Sequence, residues 1–281
     1  MKAVFYTAFA LAAFAFNSIL CRLALQSGEI DAASFTLVRI VSGAVALIAI
    51  YTAFGLKNEN EKRGNWFSAF FLFAYAVCFS FAYINLTTGT GALILFGSVQ
   101  ATMIFVALLK GERLKIWEWL GLIFALGGLI YLVFPGLSAP PVTSSALMAC
   151  AGISWGFYTL RGKGSANPLA DTMGNFVRAV PLTVLSALPF LAQIHSTQKG
   201  IALAVASGAI TSGIGYAIWY AALKFHTATR AAILQLSVPV LAGFGGVLLL
   251  AEIVSTRLLT ATLLIIGGIA LAILSRKYGK N

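Results

Sequence analysis

Twelve side chains combine hydrogen-bonding or stacking capacity with an apolar setting: Asn17, Tyr75, Phe79, Tyr83, Gln100, Trp155, Tyr158, Ser212, Tyr216, Trp219, Gln235 and Ser237. Amides, hydroxyls and aromatic faces hold a neutral polar solute or a small zwitterion; they make no tight site for a fixed full charge. Tyr75 and Tyr83 are eight residues apart with Phe79 midway, so the three share one face of a helix. The competing reading is structural. Serine often bonds its own helix backbone, and Tyr and Trp often sit in interfacial belts. Asn17 and Gln100 argue hardest for a site, because an amide in hydrocarbon needs a partner.

Arg39 and Arg178 are the only charges well inside apolar stretches. Each lies roughly 9 Å of helix rise from an end, within reach of a snorkelling side chain. Their matched placement suits a structural link better than an anion ligand, and both roles stay open. All eight acids fall in loops or at the ends of apolar stretches, and neither His195 nor His226 is central. Proton-driven carriers rely on an intramembrane carboxylate or histidine, so facilitated movement down a gradient is expected rather than carboxylate-based proton antiport. Paired acids, His-Glu-x-x-His, a glycine-rich phosphate loop and Gly-x-Ser-x-Gly are all missing, so no enzyme, metal or cofactor is expected. Cys21, Cys78 and Cys150 read as small packing residues.

The elements that must position these groups are membrane helices. The chain has 281 residues, 60% hydrophobic and 10% charged, where a soluble domain carries about 25% charged residues. Ten spans of about 20 residues are expected near 3–25, 33–54, 66–86, 90–109, 116–134, 144–161, 172–192, 201–223, 228–249 and 257–275. All-round apolarity favours helices over barrel strands. The net charge of +11 resides in loops, and no basic run with interleaved aromatics points to nucleic acid. Fourteen Lys and Arg residues lie on the termini and the loops at 55–65, 110–115, 161–171, 224–230 and 276–281. The alternate side has Lys199, Arg257 and Arg22. Both termini are therefore expected in the cytoplasm, with the chain as a multi-pass protein of the inner membrane.

The stretch Leu93–Glu112 returns as Ile233–Glu252, with Ser98-Val99 becoming Ser237-Val238 at an offset of 139. Val38-Arg39 maps onto Val177-Arg178, and Ala10, Ala12 and Arg22 onto Ala149, Ala151 and Arg161, at the same offset. That recurrence assigns the first apolar run to the repeat rather than to a signal peptide, despite Lys2 and Ala8-Phe9-Ala10. Residues 1–134 form the first five-helix repeat, 135–143 with Pro135, Pro140 and Pro141 the linker, and 144–281 the second. Five is odd, so the second repeat is inverted, and a site is expected near the midplane between the halves. Pro239 is expected to bend the ninth span, as a hinge or simply as curvature around a cavity.

Five plus five spans, Trp155 in SWGFYTLRG, Val38-Arg39, GYAIWYAAL at 215–223 and LSVPVLAGFGGVLLLAE at 236–252 resemble the EamA family of the drug/metabolite transporter superfamily. Gln100 departs from the pattern, standing where such repeats often have proline. The resemblance is nearest to bacterial aromatic and general amino acid exporters. It implies a basket of ten helices around a central cavity lined mainly by spans 1, 3, 4, 6, 8 and 9. The expected function is export of amino acids and related metabolites by alternating access, by a monomer in the lipid bilayer. Two alternatives stand beside it: an exchanger of phosphorylated sugars or nucleotide sugars using Arg39 and Arg178, and a membrane enzyme acting on lipid-linked substrates.

Overall fold

The computed structural model describes residues 2–53, 63–109, 116–134, 136, 139–163, 165–226 and 234–278. The loops at 55–62 and 110–115, Glu112, Pro135 and Ile233 lie outside the described residues. Among the described residues ten helices follow one another: α1 Lys2–Gln26, α2 Ala32–Ala53, α3 Trp66–Tyr83, α4 Thr88–Leu109, α5 Ile116–Val133, α6 Val142–Gly162, α7 Pro168–Ala187, α8 Gln198–Leu223, α9 Ser237–Leu250 and α10 Thr256–Tyr278. Local chemistry sets several starts. Asn65 caps α3 by accepting from the Ser68 N–H, Asn167 caps α7 ahead of Pro168, and Thr197 caps α8 through the Gly200 N–H. Seven helices, α1–α5, α7 with its 3-10 extension to Gln193, and α8, are long and apolar enough to cross a membrane. The expected ten spans thus correspond to ten helices of which seven reach that length and apolarity; α9 and the apolar part of α10 are shorter.

The helices pair across the halves. α5 packs on α10, α4 on α9, α2 on α7, α3 on α6 and α1 on α8. Replacing each helix by the one five places away maps this set of pairs onto itself, as a duplicated chain requires. The middle of α8, Ala206–Ile214, is a π-helix, a widened turn that commonly marks functional positions. It lies against α2 at Gly208, where an added Cβ would stand 2.1 Å from both the Arg39 carbonyl oxygen and Ser42 Oγ. Only glycine permits this approach.

One end of the bundle is sealed by charge. Ala251 adopts a left-handed conformation (φ 53°) and lets the Glu252 N–H return to the Gly246 carbonyl at 3.1 Å. The Glu252 carboxylate then caps α4, accepting from the Thr88 N–H at 2.8 Å and the Thr88 hydroxyl at 3.1 Å. Arg22 Nε lies 3.4 Å from it, while Arg22 Nη1 donates to the Tyr83 and Ile84 carbonyls at the end of α3. A cation thus meets a helix C-terminus and an anion a helix N-terminus, both favourable with the helix dipoles. Beside this cluster, the α1–α2 and α7–α8 loops form a bridge at Ile30 and Ser196. Asp31 accepts from the Ser34 and His195 N–H groups, and Glu29 accepts from Thr197 and Lys199.

Three expected outcomes test this framework. Gly208→Ala lowers stability by about 1–3 kcal/mol, whereas Gly127→Ala, with open space around its Cβ position, is neutral; thermal unfolding in detergent compares them, and equal effects would refute the close-contact account. Arg22→Ala and Glu252→Ala each cost on the order of 2 kcal/mol, and the double variant costs less than the sum; strict additivity would show that the two do not act together. The third concerns pH. Partial burial raises the Asp31 carboxyl, but donors from Ser34 and His195 outweigh it and hold the group below its ordinary value. The Thr197 hydroxyl and the Lys199 ammonium do the same for Glu29. Lowered folded-state values stabilise the loop pairing above the usual carboxylate pKa of about 4, and that contribution is lost as pH falls through the lowered values. Proteolysis near residues 188–197 should therefore accelerate only under acid, and Asp31→Asn should weaken that pH dependence.

Candidate functional site

The site is assembled from both halves around Arg39. Asp31 caps α2, and eight residues further along, Arg39 is 1% exposed. Although a snorkelling side chain could reach an interface from this depth, α8 passes over Arg39 at Gly208. Its Nε donates to Ser212 Oγ, and its Nη2 to the hydroxyls of Tyr75 and Tyr216, each at 3.0 Å. The guanidinium also lies over the rings of Tyr75 and Phe79, 5.1 and 4.8 Å from their centroids. The Tyr216 hydroxyl is 3.1 Å from that of Tyr75. Asn17 Nδ2 donates to Tyr75 at 3.1 Å, and its Oδ1 accepts from Ser207 at 2.7 Å and Thr211 at 3.2 Å.

Aromatic rings close the cluster on the α6 side. Trp155 has ring-centroid distances of 5.0 Å to Tyr75, 4.6 Å to Tyr216 and 5.4 Å to Tyr158. Phe14, three residues before Asn17 on the same face of α1, touches Trp155, Tyr216 and Trp219. The void left among Phe14, Asn17, Tyr75, Phe79, Trp155 and Tyr216 is only about 10 Å³, so in this conformation the cluster is closed on itself.

A larger cavity of about 310 Å³ lies at the opposite end from Glu252, among Met103, Thr159, Lys163, Trp219, Tyr220, Lys224 and Gln235. Trp219 separates it from the cluster through its contact with Phe14, at 5.6 Å between centroids. The indole Nε1 of Trp219 and the amide Nε2 of Gln235 are buried without a protein partner among the described residues, which is costly unless something else bonds them.

Asn17, Tyr75, Phe79, Trp155, Ser212 and Tyr216 therefore meet around Arg39, while Trp219 and Gln235 line the larger cavity. The other expected residues are placed differently, with Tyr158 adjoining the cluster through Trp155. Tyr83 packs on Phe79 and donates to the Thr88 carbonyl towards the sealed end. Tyr158 accepts from Asn175. Gln100 is buried on α4, its Nε2 without a partner among the described residues, outside the lining of both spaces. Ser237 donates to its own Leu234 carbonyl, the local role weighed against a site. Pro239 sits in the first turn of α9; with no N–H to offer Gln235, it accounts for the interruption at Leu236. Arg178 donates to the Arg63 and Gly174 carbonyls, so the two arginines of the repeat differ in their partners. Sequence reasoning missed Phe14, Ser207, Lys163 and Lys224. The i, i+3 relation of Phe14 to Asn17 was the available signal for the first; nothing local marks the lysines.

The arrangement has hydrogen-bond donors, aromatic faces and one buried cation. Among the described residues no group of His, Cys, Asp or Glu could hold a metal ion. It suits recognition of a small polar solute.

The EamA-like transporter family matches this chain twice, over residues 1–134 and 143–274. An uncharacterized protein of Pseudomonas aeruginosa is 48% identical over 279 residues, covering 99% of this chain and 96% of that protein. An uncharacterized transporter of Archaeoglobus fulgidus is 25% identical over 209 residues, 72% of this chain and 74% of that one. A solved crystal structure aligns over 98% of both chains with a TM-score of 0.72 at 21% identity, a likeness of fold. With an apolar helical bundle and a family match over both halves, the chain belongs to the EamA-like transporter family.

Proposed function

We propose that this transporter exports amino acids, aromatic and other neutral or polar ones, and related small metabolites across the inner membrane by alternating access. The observation that carries the reading is one-sided access. A cavity of about 310 Å³ opens at the Lys163 and Lys224 end and stops at Trp219, beyond which both repeats contribute to the polar aromatic cluster. The other end is shut by the Arg22, Thr88 and Glu252 contacts and the Ile30–Ser196 bridge. The positive-charge bias assigns the lysine end to the cytoplasm, so the conformation is one that loads from inside, as an exporter must. Solute then passes Trp219 to the cluster, and the two inverted halves rock around it. No carboxylate belongs to the cluster among the described residues, which favours movement down a gradient without proton coupling. A monomer suffices, because the cavity and cluster are completed within one chain.

Counterflow in proteoliposomes tests this. Vesicles loaded with mixed unlabelled amino acids and offered labelled ones should exchange several of them, equally with and without a pH gradient. Trp219→Ala and Gln235→Leu should each lower exchange about tenfold, equivalent to about 1.4 kcal/mol, with monodisperse protein retained. Absence of amino acid exchange would remove the substrate assignment. Strong dependence on the pH gradient would remove the facilitative mechanism.

A further inference from the structure

We propose that Arg39 is the anion receptor of this transporter, and that the transported solute carries an anionic oxy-group, a carboxylate on the reading above, on which this inference rests. The argument begins with charge. Arginine does not deprotonate in a protein, so a side chain 1% exposed in the centre of an apolar bundle holds a full positive charge. Buried charges are ordinarily paired. Arg22, by contrast, has Glu252 at 3.4 Å. Among the described residues Arg39 has no carboxylate: its hydrogen bonds go to three neutral hydroxyls, and one nitrogen, Nη1, is buried with no partner.

Hydrogen-bond valence gives the second argument. The Tyr75 hydroxyl oxygen lies within bonding distance of Arg39 Nη2, Asn17 Nδ2 and the Tyr216 hydroxyl, at 3.0, 3.1 and 3.1 Å. A hydroxyl accepts through two lone pairs and donates one proton, so Tyr75 is saturated by accepting from Arg39 and Asn17 and donating to Tyr216; the Tyr216 hydroxyl, which also accepts from Arg39, then has no acceptor for its own proton among the described residues. Asn17 Oδ1 is crowded too, with the Ser207 and Ser212 hydroxyls converging on it at 2.7 and 3.4 Å, beside that of Thr211, which also bonds the Ser207 carbonyl. The cluster has a surplus of donors and a deficit of both acceptors and negative charge. A carboxylate supplies all that is short: two oxygens, about four lone-pair sites and one negative charge, in the planar geometry that a guanidinium fork receives through two parallel bonds.

The position adds a consequence. Arg39 and Tyr75 belong to the first repeat, Ser212 and Tyr216 to the second, so the guanidinium joins the halves when no solute is bound. An anion that takes over the guanidinium replaces bonds between the repeats with bonds to itself. Binding and freeing of the halves then become one event.

The test uses the full-length protein in proteoliposomes and asks whether exchange requires the anionic group. Each exchanged amino acid is competed with itself, with its amide and with its decarboxylated amine. The acid should compete at concentrations at least tenfold below the other two. Arg39→Lys should keep the preference and weaken exchange about tenfold or more; Arg39→Gln should abolish the preference. Size-exclusion profile and tryptophan fluorescence report folding of the variants, and the acid-to-amide comparison on the unaltered protein stands without them. Equal competition by amide or amine overturns the proposal and leaves amino acid transport intact. If no amino acid exchanges, sugar phosphates and dicarboxylates are offered to the same vesicles. Exchange of these alone supports the anion receptor and replaces the solute. Exchange confined to neutral or cationic solutes, or none of any anion, overturns it.

Discussion

Hydrocarbon offers no hydrogen bonds, so every polar side chain on an apolar helix must find its partner inside the protein. Much of the centre follows from this constraint. Asn17 on α1 reaches Tyr75 on α3 and three hydroxyls on α8; Arg39 on α2 reaches the same tyrosine and the same helix. These partners lie on helices from both halves, so satisfying the polar groups also holds the halves in register. Gly208 makes the geometry possible, because any larger residue would hold α8 away from the Arg39 backbone. The π segment turns Ser207, Thr211 and Ser212 towards the same polar centre.

The two ends of the bundle are built from different physics. At the Glu252 end, helix termini, an arginine and carboxylates complement one another, and the α1–α2 and α7–α8 loops pair. At the lysine end, Lys163 and Lys224 stand at the margin of a cavity, and Lys224 follows directly on the end of α8. One end therefore has strong local reasons to be closed, while at the other two lysines border an open space. The two ends of a duplicated chain thus differ in what holds them.

Much of this was legible in the sequence. The offset of 139 announced two repeats, and the helix pairs exchange accordingly. Side-chain fate was less legible, because it depends on which neighbour a helix face meets. Asn17 and Gln100 look equivalent along the chain; among the described residues one finds four partners and the other none for its amide nitrogen. Arg39 and Arg178 occupy matched positions in the repeat, yet Gly208 of α8 seals the first, while the second stays near the Arg63 carbonyl at a helix margin. Distance from a helix end, measured along one span, carries no information about such a seal. Ser237 matched Ser98 in the repeat and nevertheless turned to its own backbone.

The widened turn of α8 also bears on how such a bundle moves. A π segment stores one residue more than an α-helix of the same length needs. Shifting that surplus along the chain advances the helix between the old and new positions by about 100° of rotation, while its backbone hydrogen bonds are exchanged rather than lost. The surplus lies between the capped start of α8 at Thr197 and the aromatic stretch from Tyr216 to Tyr220. The fold thus places a rotational bearing inside the helix that carries Ser212 and Tyr216, and the outer part of α8 can stay docked in its loop pairing while the inner part turns.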